Sequence, residues 1–249
     1  MRLSHRTKQN PVFYADRLRI ELADDPERVE RAFTDPDSVD LLTWNVFASL
    51  DTDSDRDYLT ALLRPFCGND LTPPVSLSLW TGKEREPQLT PSPQYVRHVR
   101  QRAGEDQDVS AFTCQIEVPV RIESRAVLGL VDVAVDSLPG GAGGRDRLTE
   151  LIDAGAVQAH RIGKQLAVAV VYRSGTPAAA ALSARINALR TSDGLRKAMP
   201  WADPLPEVRL REVPWQQLVR VWENERKHFR LFAQPVGGFL AHAERLGLR

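Results

Sequence analysis

A chain of 249 residues can hold one sizeable core or two small ones, and a composition 42% hydrophobic and 27% charged excludes a disordered, collagenous or membrane-embedded protein. Its 33 lysines and arginines balance 33 aspartates and glutamates, so net charge supplies no pull toward nucleic acid or anionic lipid, and any such contact must come from a local patch. Cys67 and Cys114 are too few for a disulfide framework and lack the paired spacing of a zinc site, which points to a reducing compartment.

Arg2, His5, Arg6 and Lys8 near the amino terminus are not followed by the apolar stretch of a secretory signal. No apolar run approaches the ~20 residues that span a bilayer. A soluble, cytoplasmic protein with no membrane partner is expected. Asp25-Pro26 and Asp35-Pro36 each set a capping carboxylate before a proline suited to the first helical position, so two helices are expected to begin there. The second runs to about Leu50 with Val39, Leu42, Val46 and Leu50 on one face, and its acidic first turn, Asp37 and Asp40, suits the helix dipole. Asp51, Asp53, Asp55 and Asp57 alternate like a calcium loop, but Arg56 replaces the turn glycine and Leu62 the closing glutamate, so a solvated acidic loop before a helix over 57–63 is expected.

Val75, Leu77 and Leu79 alternate with serines and end at Trp80, the period of a half-buried strand, and the proline-rich stretch 83–93 reads as loop. Arg97, His98, Arg100 and Arg102 then form the better of two basic segments, the other being Arg226 to Arg230. Such clusters are usually solvated faces, and this one is the candidate for phosphate contact. Alternation from Phe112 to Ile122 predicts a long strand, in which Pro119 implies an edge position or a bulge near Glu117.

Ala126 to Val135 is apolar or glycine throughout except for Asp132, a strand buried on both faces with one carboxylate in it. Burying an unpaired charge costs several kcal/mol, so Asp132 is paired, protonated, solvated at a cleft or bound to a cation. The glycines of 139–144 lack both the Lys-Ser/Thr of a P-loop and the spacing of a dinucleotide fingerprint, and read as a flexible connection. A helix over 145–164 with small residues on its inner face, followed by an apolar strand at Leu166 to Tyr172, makes a right-handed parallel crossover. A helix over 178–190, a loop, a strand at Val208 to Val213, a helix from Trp215 to about Arg230 and a last short helix around Phe239 to Leu246 complete the chain. Trp215, Leu218, Trp222 and Phe229 form a stripe that belongs to a core, and the histidines at 98, 160, 228 and 242 have no metal-ligand spacing to one another.

From Asp35 to Tyr172 the elements read helix, strand, strand, strand, helix, strand. That order, together with the text Asp40-Leu41-Leu42-Thr43-Trp44-Asn45-Val46-Phe47 and the closing helices over 215–248, resembles the PD-(D/E)XK nuclease superfamily, the restriction-endonuclease-like fold. The resemblance implies a single α/β domain with a mixed central sheet, its core at about 35–172 and a helical extension at about 178–249. It further implies a metal-dependent DNA endonuclease of restriction or phage defence that acts with other defence-system proteins. Residue by residue, Asp40 matches the helix acid, Glu117 the strand acid and Asp132-Val133-Ala134 the E-x-K, with Glu117 and Asp132 as ligands of Mg2+ or Mn2+. Such acids hold a hard cation that polarises the scissile phosphate, while the lysine positions water and neutralises developing charge. Ala134 stands in the lysine's place, so catalysis would need a substitute such as Lys164 or Arg121. The alternative is a catalytically degenerate fold used to bind nucleic acid or to assemble with proteins, and Ala134 and the neutral charge balance favour it.

Overall fold

The computed structural model describes residues 12, 14–48, 63–82, 85–103, 115–134, 146–225 and 233–249. The acidic loop over 51–57, the glycine-rich connection 139–144 and the basic cluster 226–230 lie outside them. The chain divides into two compact units, residues 53–214 and residues 1–52 with 215–249.

The first unit is built on a mixed five-stranded sheet. Its strands are β1 (Ser76–Thr81), β2 (Val118–Glu123), β3 (Val127–Val133), β4 (Gln165–Tyr172) and β5 (Val208–Pro214), in the spatial order β1-β2-β3-β4-β5. β2 runs antiparallel to both β1 and β3, while β3, β4 and β5 run parallel. The helices are α4 (Pro93–Ala103) between β1 and β2, α5 (Arg147–Arg161) between β3 and β4, and α6 (Pro177–Leu189) and α7 (Ser192–Ala198) between β4 and β5. An α/β fold with a mixed sheet and a parallel β3–α5–β4 crossover therefore stands as expected.

Three elements differ from the sequence reading. β2 lies inside the sheet, so Pro119 does not mark an edge. The ladder skips it instead: pairing to β3 begins at Val120, pairing to β1 passes from Val120 to Val118, and Trp80 in β1 turns to φ 50°. A proline has no ladder N–H to give, and the local irregularity is how the sheet accommodates it. Residues 115–117 are not strand, so among the described residues the run expected from Phe112 shortens at its start. The basic segment, read without a secondary structure, is the helix α4.

α5 packs its apolar face on the sheet. Leu151 and Ile152 join Leu128 and Leu130 of β3 and Leu166, Val168 and Val170 of β4 in one buried cluster. Each fully buried side chain of this kind contributes ~1.5–3 kcal/mol relative to exposure. Gly155 lets the helix sit close, because a Cβ there would come within 2.7 Å of Leu130 Cδ1 and 2.9 Å of Leu166 Cδ1. Across the strand, Gly129 admits Cys67 Sγ, to which a Cβ would approach within 2.3 Å. Cys67 ends a short helix over 63–67, and burial pushes its thiol pKa up to about 12, which makes it an inert packing group.

The second unit is helical: α1 (Ala15–Glu21), α2 (Pro26–Thr34), α3 (Val39–Thr43) continuing into a π turn at Trp44–Ala48, α8 (Trp215–Glu225) and α9 (Ala233–Arg245). Asp25 caps α2 as expected, accepting from the Arg28 amide at 2.9 Å. α3 starts later than the Asp35-Pro36 signal indicates. Its cap is Ser38, which accepts from the Leu41 amide, while Asp35 closes α2 and accepts from the Asp37 amide. Trp215, Leu218 and Trp222 are buried, and Trp222 meets Phe239 edge-on at 6.5 Å. Phe229, the last residue of the expected stripe, lies outside the described residues.

His242 of α9 is fully buried, and its Nε2 lies 2.5 Å from the Pro36 carbonyl oxygen. A carbonyl only accepts, so Nε2 carries the proton, and among the described residues Nδ1 has no hydrogen-bond partner. Burial lowers the His242 pKa below its ordinary 6.5, against the upward pull of the Pro36 carbonyl. Below pH 6.5 the unfolded chain then binds a proton that the folded chain refuses. Stability from this group is complete above that pH and falls as the pH drops, by at most ~1.4 kcal/mol per pH unit. Urea midpoints taken between about pH 7 and 5 are expected to fall in the wild type, and more shallowly in His242→Gln. Equal slopes would remove His242 as the cause.

Candidate functional site

Antiparallel pairing of Val120 with Val131 brings the start of β2 and the end of β3 to one end of the sheet. The crossover delivers the first residue of α5 to that same end, because β3 runs toward it and α5 returns from it. Glu117, Asp132, Ala134 and Arg147 are thereby gathered by topology.

α5 is pinned at this point. Asp146 caps it, accepting from the Leu148 amide at 3.1 Å and the Thr149 amide at 3.4 Å, and Arg185 of α6 grips the free oxygen of Asp146 through Nε at 3.1 Å and through Nη2. Arg147, the next residue, points its guanidinium back to the strands. Its Nη2 donates to the Glu117 carbonyl, and its Nε stands 3.7 Å from Asp132 Oδ2, an ion-pair distance too long for a hydrogen bond.

The Asp132 side chain is 7% exposed, and among the described residues Oδ2 makes no hydrogen bond. Burial raises its pKa above the ordinary value, and the Arg147 charge opposes that rise. Of the four ways to keep a carboxylate inside a strand, the structure displays pairing, by a partner that sequence inspection had not singled out. Glu117 is half-buried, and its backbone carbonyl rather than a strand pairing is what holds Arg147. Ala134 is buried, and its amide donates to the Val171 carbonyl at 2.8 Å, so its position contributes packing and backbone only.

The other sequence candidates lie elsewhere. Lys164 precedes β4, whose Gln165 pairs with Val127 at the start of β3, whereas Asp132 pairs with Val170. Five residues of strand separate the two positions, about 16 Å. Lys164 Nζ is bound to Glu123 at 2.5 Å, and Arg121 binds the same carboxylate with Nη2 at 2.7 Å. Burial pushes Glu123 up, but these two cations outweigh it and hold its pKa below the usual value. Both candidate substitutes for the missing lysine are thus committed at the far end of the sheet. Asp40, in the helical unit, has both oxygens taken by Arg28, Nε to Oδ2 and Nη2 to Oδ1, each at 2.7 Å.

The residues at the end of β3 do not fit a resident Mg2+ or Mn2+. Such ions gather several oxygens, usually with carboxylates among them, whereas here a guanidinium faces the buried carboxylate oxygen. Two like unit charges 4 Å apart repel by ~4 kcal/mol at an effective dielectric of 20, and a dication doubles the figure. Among the described residues, no group of three or more His, Cys, Asp or Glu is arranged to hold a metal ion.

No family model, curated protein or solved structure matches this chain.

The remaining candidate surface is α4. Tyr95 faces inward, its hydroxyl donating to Glu150 at 2.5 Å, and His98 lies against Trp201 with ring centroids 4.8 Å apart. Arg97, Arg100 and Arg102 are exposed, and no acidic partner engages them among the described residues. The helix is therefore anchored through Tyr95 and His98 and carries three exposed guanidinium groups, Arg97 and Arg100 neighbouring on one side and Arg102 one turn beyond His98. No helix among the described residues is long and apolar enough to cross a membrane.

Proposed function

We propose that this protein is a nuclease-like α/β fold that binds nucleic acid through α4 without cleaving it. The observation that carries the reading is Arg147 beside Asp132, with Ala134 where the motif lysine would stand. A positive charge supplied by the protein faces the buried acid, and among the described residues no lysine stands beside it to position water. The succession β1, β2, β3, α5, β4, with α4 inserted after β1, supports the nuclease-like part of the proposal. The exposed arginines support the binding part, since guanidinium groups on one rigid helix contact successive phosphates without base readout.

Two measurements test this reading. Replacing Arg97, Arg100 and Arg102 together by glutamate is expected to weaken DNA binding at low salt and to flatten its salt dependence, lowering the slope by about 3 if each arginine meets one phosphate. The fold should survive, because the three side chains are exposed. Unchanged affinity would remove α4 as the binding face. Incubation of the wild type with plasmid or single-stranded DNA and Mg2+ or Mn2+ is expected to give no cleavage. Cleavage lost in Asp132→Asn would establish the endonuclease instead.

A further inference from the structure

The geometry points to Arg147 as a built-in replacement for a metal ion: its guanidinium occupies the place between the Asp132 carboxylate and the Glu117 carbonyl that a divalent cation would take, and removing its charge would open a cation site. The guanidinium spans two oxygens from separate segments, the Glu117 carbonyl just before β2 and the Asp132 carboxylate in β3, donating to the first and lying 3.7 Å from the second. Both are hard donors of the kind that Mg2+ and Mn2+ prefer. Among the described residues Asp132 Oδ2 is buried without a hydrogen bond, and the Arg147 guanidinium is the cation that faces it, while the Val133 backbone amide also donates to the carboxylate. The arrangement is not an accident of a floppy side chain. Arg147 is the first residue of a 15-residue helix whose cap, Asp146, is itself gripped by Arg185.

A guanidinium is permanently charged, planar and unable to exchange with solvent ions, so it supplies the stabilising role of a cation and none of its chemistry. It does not activate water, which a bound dication would do. The inference rests on the non-cleaving reading only through this pair, and the two fail separately. DNA cleavage by the wild type would overturn that reading, whereas the variants below address Arg147 alone.

Arg147→Gln keeps an amide that can donate to the Glu117 carbonyl and removes the charge, and Arg147→Met keeps the stem alone. Mn2+ binding to the purified full chain is read by calorimetry and by the thermal midpoint. Both variants are expected to bind Mn2+ at least ~10-fold more tightly than the wild type and to gain thermal stability as Mn2+ is added. Arg147→Lys should remain as indifferent as the wild type, and Arg147→Gln with Asp132→Asn should lose the gain. Should a variant be unfolded in metal-free buffer, Mn2+ is expected to restore its circular dichroism, because binding energy adds to folding. Variants that neither bind Mn2+ nor are rescued by it, or a wild type that binds as tightly as Arg147→Gln, would overturn the inference and leave Arg147 an ordinary ion-pair partner.

Discussion

Asp153→Ala is expected to destabilise the protein by ~2–5 kcal/mol, because it leaves several neutral donors buried without an acceptor. Asp153 is 5% exposed, on the inner side of α5. Its carboxylate accepts from the Ser92 amide at 2.6 Å, the Ser92 hydroxyl at 2.8 Å and Trp201 Nε1 at 2.9 Å. Alanine would strand two N–H donors inside the protein, and each unpaired donor costs ~1–3 kcal/mol. The damage should spread to α4, because Ser92 Oγ also accepts from the Tyr95 amide at 3.0 Å and so orders the start of that helix. Asp153→Asn keeps an acceptor oxygen and should cost clearly less. Urea unfolding of the three proteins reads the difference, and a loss under ~1 kcal/mol for alanine would show the cluster to be redundant. If α4 is the binding face, Asp153→Ala should also weaken DNA binding although Asp153 is buried and contacts no ligand.

Gly129→Val is expected to lower stability by ~1–3 kcal/mol or more through overpacking. Gly129 lies in the middle of β3, paired with Ile122 on one side and Ala167 on the other. A Cβ at this position would stand 2.3 Å from Cys67 Sγ and 3.2 Å from Ile122 Cβ. Neither neighbour is the far end of a long side chain, so one of the strand or the 63–67 helix must shift. Cys67→Ala removes the nearer atom, and in combination with Gly129→Val it should recover part of the loss. The coupling in the double-mutant cycle should therefore be favourable and of order 1 kcal/mol. Additive losses would mean that the strand, not the sulfur, sets the penalty.

Of the three acids placed by resemblance, Asp40 is answered by Arg28 and Asp132 by Arg147, while Glu117 meets Arg147 through its backbone carbonyl; Glu123, outside that set, is answered by Lys164 and Arg121. The chain with equal numbers of acidic and basic residues uses a good part of them on one another, which is why neutral overall charge and a local basic helix coexist. Arg97, Arg100 and Arg102, exposed and with no acidic partner among the described residues, give α4 its character.

Some elements are defined by their neighbours along the chain, and these can be read from the residues alone. The apolar runs of β3 and β4, the small residues of α5 and the Asp25 cap of α2 were all legible, because burial on both faces, close helix–sheet approach and capping leave local patterns. The odd carboxylate, Asp132, was legible too, as a charge in an apolar strand that must be answered. Only the tertiary structure decided by what. Arg147 is 15 positions further along, past a connection of glycines, and it reaches Asp132 because a parallel crossover returns the helix to the end of the strand it left. The same topology sent Lys164 to the opposite end, six residues and about 20 Å away at ~3.3 Å per strand residue, where Glu123 holds it. The helical state of α4 and the internal position of β2 were likewise beyond local reading. Tyr95 answers to Glu150, 55 residues away, and Pro119 is tolerated because β1 twists at Trp80, so in both cases the deciding partner is distant in the chain and near only in the fold.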